Sequence, residues 1–399
     1  MPIDPTDYNQ PVPPVDIASG REIPSEGYCD QPYVVTLPSG EWLCTMTTGR
    51  AREGSRGQHV VAIRTGDRGR TWSEPVDIEP EDGPEASWVM PFITPSGRVY
   101  AFYTYNAADL REVIADTEYA RHRVDTLGEY AFRYSDDGGR TWSPRHVIPV
   151  RETAIDRANP YGGRVRFFWG VGKPVDVGGA MMLGFAKVGR FGEGFMAESE
   201  GWFLRCENIL TETDPDRLRW QTLPEGDRGL RSPGGPVADE ANLTSLSDGS
   251  LFCTYRTTDG HPCHAYSRDG GRTWTPPEYM TTHPGGPKIP HPRAANFVRR
   301  LDDGPWAGRF VYWFHNHGGR GYEGRNPAWM MGGVERDGEH GRVIHWGRPV
   351  AMLYDRDPSV RISYPDFVWD DGRLYITETQ KTVARVHEIP EGLLASLWG

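Results

Sequence analysis

Three nearly identical octamers constrain this chain more than any other feature. Thr65–Trp72 (TGDRGRTW), Ser135–Trp142 (SDDGGRTW) and Ser267–Trp274 (SRDGGRTW) share the pattern Ser/Thr-x-Asp-x-Gly-x-Thr-Trp, and each is followed by Ser or Thr and then a proline. The pattern suits a β-hairpin turn. The Asp accepts backbone N–H bonds, the Gly takes a positive φ, and the Trp packs on a neighbouring hairpin. Trp72 and Trp142 are 70 residues apart, and Trp142 and Trp274 are 132 apart, which leaves room for one more unit between them. A decayed copy is therefore expected to end at Trp220 (TDPDRLRW), and a second at Trp346.

A second turn marks the units independently. LPSGEWLC, TPSGRVYAFY, VDVGGAMMLGF, LSDGSLFCTY, LDDGPWAGRFVYWF and WDDGRLYITE each place a glycine before an apolar-rich run. These glycines are Gly40, Gly97, Gly179, Gly249, Gly304 and Gly372, at intervals of 57, 82, 70, 55 and 68 residues. Six units of that length each hold a four-stranded antiparallel blade, and radial repetition protects the strand edges. The fold class expected is all-β, a six-bladed β-propeller forming one domain over 1–399. Residues 1–23 form an N-terminal extension, and a short helical insertion at about 107–128 sits in the second blade, from the periodicity of AADLREVIADTEYARHRV.

Composition agrees. Gly 48 and Pro 34 suit many tight turns, while Trp 14, Tyr 18 and Phe 14 supply the burial that disordered chains lack. A net charge of -11 without a basic run argues against nucleic-acid binding. The N-terminal MPIDPTDYNQPVPP has neither the basic nor the apolar region of a secretory signal, and no stretch approaches a membrane span. The chain reads as cytoplasmic, or as secreted if a signal has been trimmed. Five cysteines at 29, 44, 206, 253 and 263, without CxxC spacing, read as mostly reduced, with one disulfide possible. His315 and His317 have a metal-pair spacing but no third ligand, so no metal and no cofactor is expected.

The octamers match the Asp box, and six units carrying it resemble the sialidase (neuraminidase, BNR-repeat) superfamily over roughly residues 24–390. The resemblance implies a sugar-processing site on the inner strands. The family's nucleophilic Tyr stands in a stretch similar to Ser363-Tyr364-Pro365-Asp366-Phe367, which assigns Tyr364. The family's activating Glu matches Glu240, which opens EANLTSLSDGSLFCTYR, and Arg256 at its end matches one arginine of the carboxylate clamp. Arg325 matches another, and Arg293 in HPRAANF is a candidate third. A phenol has a reference pKa of about 10, so it needs a neighbouring base to attack. Guanidinium forks hold a carboxylate bidentately.

Two positions depart from the family pattern. Its first-blade Arg-Ile-Pro is Asp30-Gln31-Pro32 here, so Asp30 and Gln31 replace one arm of the clamp. Its catalytic Asp falls in GRAREGSRGQHVVAIR, which holds Glu53 but no Asp; His59, next to Gln58, is the nearest polar replacement. The catalytic set expected is Tyr364, Glu240 and His59. The substrate-binding set is Arg256, Arg325, Arg293, Gln31 and Asp30. Aromatic residues such as Trp169 and Trp313 are candidate stacking platforms, and Glu193, Glu198 and Glu200 are candidates to reach over the mouth. The activity implied is a sialidase-like glycoside hydrolase acting on an acidic or otherwise non-sialic sugar, with a small sugar or oligosaccharide as partner. A lyase acting on a uronic acid and a non-catalytic glycan-binding propeller are the alternatives. Oligomeric state is left open.

Overall fold

The computed structural model describes residues 2–193 and 195–399. Six sheets follow one another along the chain, as the two turn repeats imply, and their pairings are antiparallel apart from the parallel addition of Val15–Asp16 to Val350–Tyr354 in the fifth. The first sheet runs Tyr28–Thr36, Trp42–Gly49, His59–Thr65 and Val76–Glu79 from inner to outer strand. The fourth runs Asp239–Ser245, Leu251–Arg256, Cys263–Ser267 and Glu278–Tyr279. The sixth takes Ser363–Asp370, Arg373–Thr379 and Ala384–Glu388 from the C-terminal end, and its outer strand, Arg21–Ile23, from the N-terminal end. That exchange closes the ring and leaves no open seam between first and last blades. The apolar cluster of Ile23, Val34, Met46, Val368, Tyr375 and Val386 spans the closure.

Each of the six repeated glycines joins the first and second strands of its unit, with φ between 74° and 93°. The octamers join the third and fourth strands of blades one, two and four. In the first, Asp67 accepts from the Arg70 and Thr71 amides and the Thr71 hydroxyl, while Thr65 Oγ1 accepts from the Gly69 amide. These bonds hold the Asp67 carboxyl down at about 2. The turns also lock onto the preceding blade. Trp274 stacks on Phe203 of the third blade at 4.5 Å, and a Cβ on Gly139 would meet Leu43 Cδ1 of the first blade at 2.6 Å.

Three expectations change. Thr213–Trp220 does join the third and fourth strands of its blade, but as a 3-10 turn over Pro215–Arg217 rather than an Asp box. Trp346 ends an added strand, Gly341–Trp346, that pairs with the third strand of blade five. The insertion at 107–128 contains a single helical turn, Glu118–Arg121, and is otherwise irregular. Its apolar residues Val113, Ala120 and Val124 are buried against the main core rather than along one face of a continuous helix. All five cysteines are buried and free.

Candidate active site

The inner strands of four blades carry the same irregularity. Gln31, Trp88, Glu240 and Tyr364 are non-glycine residues at φ 55°, 64°, 56° and 50°. Each lies at a β-bulge near the head of its inner strand, between Asp30 and Tyr33, Ser87 and Met90, Asp239 and Asn242, and Ser363 and Asp366. Such a conformation costs about 1–3 kcal/mol per residue and persists where the surroundings enforce it. The bulge turns one extra side chain out of the pleat, and in blades four and six the result is a direct contact. Tyr364 Oη donates to Glu240 Oε1 at 2.8 Å.

Glu240 Oε1 also receives the Trp169 indole N–H at 3.1 Å and lies 2.7 Å from Arg256 Nη1. Its Oε2 is buried without a hydrogen-bond partner. Burial pushes the Glu240 carboxyl up, against the pull of Arg256. Burial, reinforced by the Glu240 charge, pushes the Tyr364 phenol well above its usual range. The raised phenol keeps Tyr364 protonated and donating to Glu240, whose second carboxyl oxygen has no hydrogen-bond partner.

Tyr364 lies in the wall of a cavity of ≈ 280 Å³, with the fully buried Glu240 behind it; the lining includes five cations, Arg123, Arg256, Arg325, Arg361 and Lys381, and one carboxylate, Glu53. The cations are not equivalent. Arg256 is already engaged: it forms a fork on Asp239 at 2.6 and 3.1 Å in addition to its contact with Glu240. Arg325 donates only to neutral oxygens, Ser363 Oγ at 3.0 Å and the carbonyls of Tyr322 and Arg293, both at 3.1 Å. Among the described residues no carboxylate lies within ion-pair distance of Arg325 or of Arg361, which is exposed at the rim. Burial presses the Arg325 pKa down, the signature of a cation short of counter-charge.

Glu53 enters from the first-blade loop. It is 3.0 Å from Arg123 Nη2 and 3.5 Å from Lys381 Nζ. Burial opposes its ionisation, but Arg123, Lys381, Arg361 and Arg325 outweigh that and hold it at about 2. Lys381 Nζ also contacts Asp30 Oδ2 and lies 4.7 Å from the centre of the Tyr364 ring. Lys381, carried by the sixth blade, thus pairs with Asp30 and Glu53, both supplied by the first.

Comparison with known proteins places this geometry. The BNR/Asp-box repeat model matches residues 133–144 and 265–276. No curated protein matches. Among solved structures, the leech intramolecular trans-sialidase complexed with 2,7-anhydro-Neu5Ac superposes with a TM-score of 0.63 at 14% identity, over 94% of this chain and 70% of that one. The intramolecular trans-sialidase of Ruminococcus gnavus, in complex with oseltamivir carboxylate, gives 0.62 at 14% identity over 95% and 99%. A Dyadobacter fermentans protein of unknown function gives 0.62 at 14% identity over 93% and 97%. The fold is that of a sialidase-like propeller.

Within this sialidase-like propeller, Tyr364, Arg256 and Arg325 line the cavity, and Glu240 lies behind them in contact with Tyr364 and Arg256. Arg293 lies behind it, its guanidinium 5.0 Å from the Tyr322 ring and 4.0 Å from Asp239. Asp30 is buried behind Lys381, and Gln31 donates to the Gly170 carbonyl at 3.2 Å; neither lines the cavity. His59 is a correction. It opens a third strand, two strands out from the inner one, and its ring meets the Gly57 carbonyl at 3.0 Å and Asp77 at 3.6 Å instead of the cavity. Trp169 lines the cavity, whereas Trp313 is buried in the core. Glu200 is buried on Arg231 and the Gly229 amide rather than at the mouth, and neither Glu193 nor Glu198 lines the cavity. His315 faces the Pro327 carbonyl and His317 that of Gly324, and no cluster of three or more metal-ligating side chains occurs among the described residues.

Sequence reading missed Lys381, Arg123, Arg361, Tyr119, Phe195 and Tyr322. All but Phe195 sit in connections between strands, where no repeat register assigns a position.

Proposed function

We propose that this protein is a glycoside hydrolase that acts on a sugar bearing a carboxylate, with Tyr364 as nucleophile and Glu240 as its base. The observation that carries the reading is the 2.8 Å bond from Tyr364 Oη to Glu240 Oε1 beside the uncompensated Arg325. An incoming carboxylate would pair with Arg325 and Arg361 and supply the missing counter-charge. As the phenol oxygen attacks the anomeric carbon, its proton passes to Glu240, so no free phenolate has to form beforehand next to that carboxyl group. Glu53, the carboxylate among the cavity's lining residues, would protonate the leaving-group oxygen. The substrate carboxylate offsets the cations that hold Glu53 ionised and raises its pKa toward that of a working acid. After departure of the leaving group, Glu53 accepts a proton from water as it opens the tyrosyl–sugar bond, and Glu240 returns its proton to the released Tyr364 oxygen.

Tyr364→Phe should remove turnover of acidic aryl glycosides while leaving the melting temperature nearly unchanged; full activity in that variant would refute the mechanism. A second reading rests on the cations that hold the Glu53 carboxyl at about 2, which suits a base. Arg325 would then neutralise a uronate carboxylate while Glu53 removes the proton beside it, the neighbouring carbon–oxygen bond breaks and the departing oxygen takes a proton from Tyr364, giving an unsaturated product. Ultraviolet absorbance of the product, absent after hydrolysis, separates the two.

A further inference from the structure

A second cavity of ≈ 210 Å³ abuts the first and shares Glu53, Tyr119 and Arg123 with it as a common wall. Its other charged lining residues are Arg52 and Arg56 from the first-blade loop, and Arg111 and His122 from the 107–128 insertion. Arg111 is neutralised by Glu85 at 2.7 and 2.9 Å, and Arg123 by Asp125 and Glu53. His122 faces Glu118 at 2.9 Å. Arg52 and Arg56 have no carboxylate within ion-pair distance among the described residues. The chain carries -11 overall, so a concave patch with two uncompensated guanidinium groups runs against its general charge. The loop and the insertion are also fitted to each other. A Cβ on Gly54, at φ +78, would meet Arg123 Cδ and Nε at 2.8 Å.

We infer that this second cavity is a subsite for an anionic group, a sulfate or carboxylate, on the leaving-group side of the substrate. The inference rests on the larger cavity being the sugar site. Glu53 then stands between two anion-binding cavities, at the place where the bond joining the two halves of the substrate must cross. The substrate class becomes a doubly acidic glycoside: a carboxylate on the sugar transferred and a second anion on the unit released. Arg52 and Arg56 set that preference without touching the reacting atoms.

The test is equilibrium binding to the full chain of three released-unit probes: galactose sulfate, galacturonate and neutral galactose. Wild type is expected to bind at least one acidic probe saturably, and galactose far more weakly. Arg52→Gln/Arg56→Gln should weaken the acidic probe by about ten-fold or more and leave galactose and the melting temperature unchanged. Which acidic probe binds distinguishes sulfate from carboxylate. Acidic probes that bind no better than galactose, or that bind the double variant as well as wild type, overturn the inference. Glycoside turnover is read separately. Acidic-probe binding lost in the double variant, without any turnover, would refute the hydrolase and leave the anion subsite standing.

Discussion

Tyr364 and Glu240 occupy the same bulged position on two different blades, and the phenol of one donates at 2.8 Å to the carboxylate of the other. The contact is thus a product of the repeat itself. One backbone irregularity, used in several blades, has been given a different side chain in each, and two of those side chains meet.

Glu240→Gln keeps a hydrogen-bond acceptor for Tyr364 and leaves Arg256 its fork on Asp239, but removes the proton acceptor. Turnover should fall by about a hundred- to ten-thousand-fold with little change in KM. Steady-state kinetics on an acidic aryl glycoside check this. A loss confined to KM would assign Glu240 to binding.

Arg325→Gln should weaken kcat/KM for the carboxylate substrate by an amount equivalent to about 2–5 kcal/mol, the cost of truncating one partner of a buried charge pair. The same substrate with its carboxylate reduced to an alcohol should lose much less. Equal losses for the two would mean that Arg325 does not read the carboxylate.

The Asp-box turns set part of the pH dependence of stability. Partial burial opposes ionisation of Asp137, but bonds from Thr141 and Ser135 hold it at about 2, against an ordinary 3.8. A carboxyl lowered in the folded state contributes stability above the unfolded pKa and loses it as pH falls through the folded one. Asp137→Asn should therefore lower the melting temperature at neutral pH, and the gap to wild type should close between about pH 4 and pH 2. Thermal melts across that range decide it.

How much was legible in the sequence follows from where the repeats lie. The six glycine turns join first to second strands and the octamers join third to fourth, so both sit at the ring's face opposite the cavity. They fix blade number without encoding chemistry. Tyr364, Glu240 and Arg256 lie on inner or second strands at fixed distances from those turns, so the family resemblance could be carried onto them position by position. Lys381, Arg123 and Arg361 come from connections whose lengths follow no period. His59 illustrates the limit: it is at the correct face but opens a third strand, where the ring packs toward the blade's outer strand. Lys381 reaches the cavity from the connection between two strands of the sixth blade, where no turn repeat fixes a position.

The most direct measurement of the central claim is a trapping experiment. The full chain is incubated with a fluorinated acidic glycosyl fluoride that slows hydrolysis of a covalent intermediate, then digested and analysed by mass spectrometry. A sugar adduct on Tyr364 is the predicted result, absent from Tyr364→Phe. An adduct on Glu53, or an acidic glycoside turned over to an unsaturated product with no adduct at all, would contradict it.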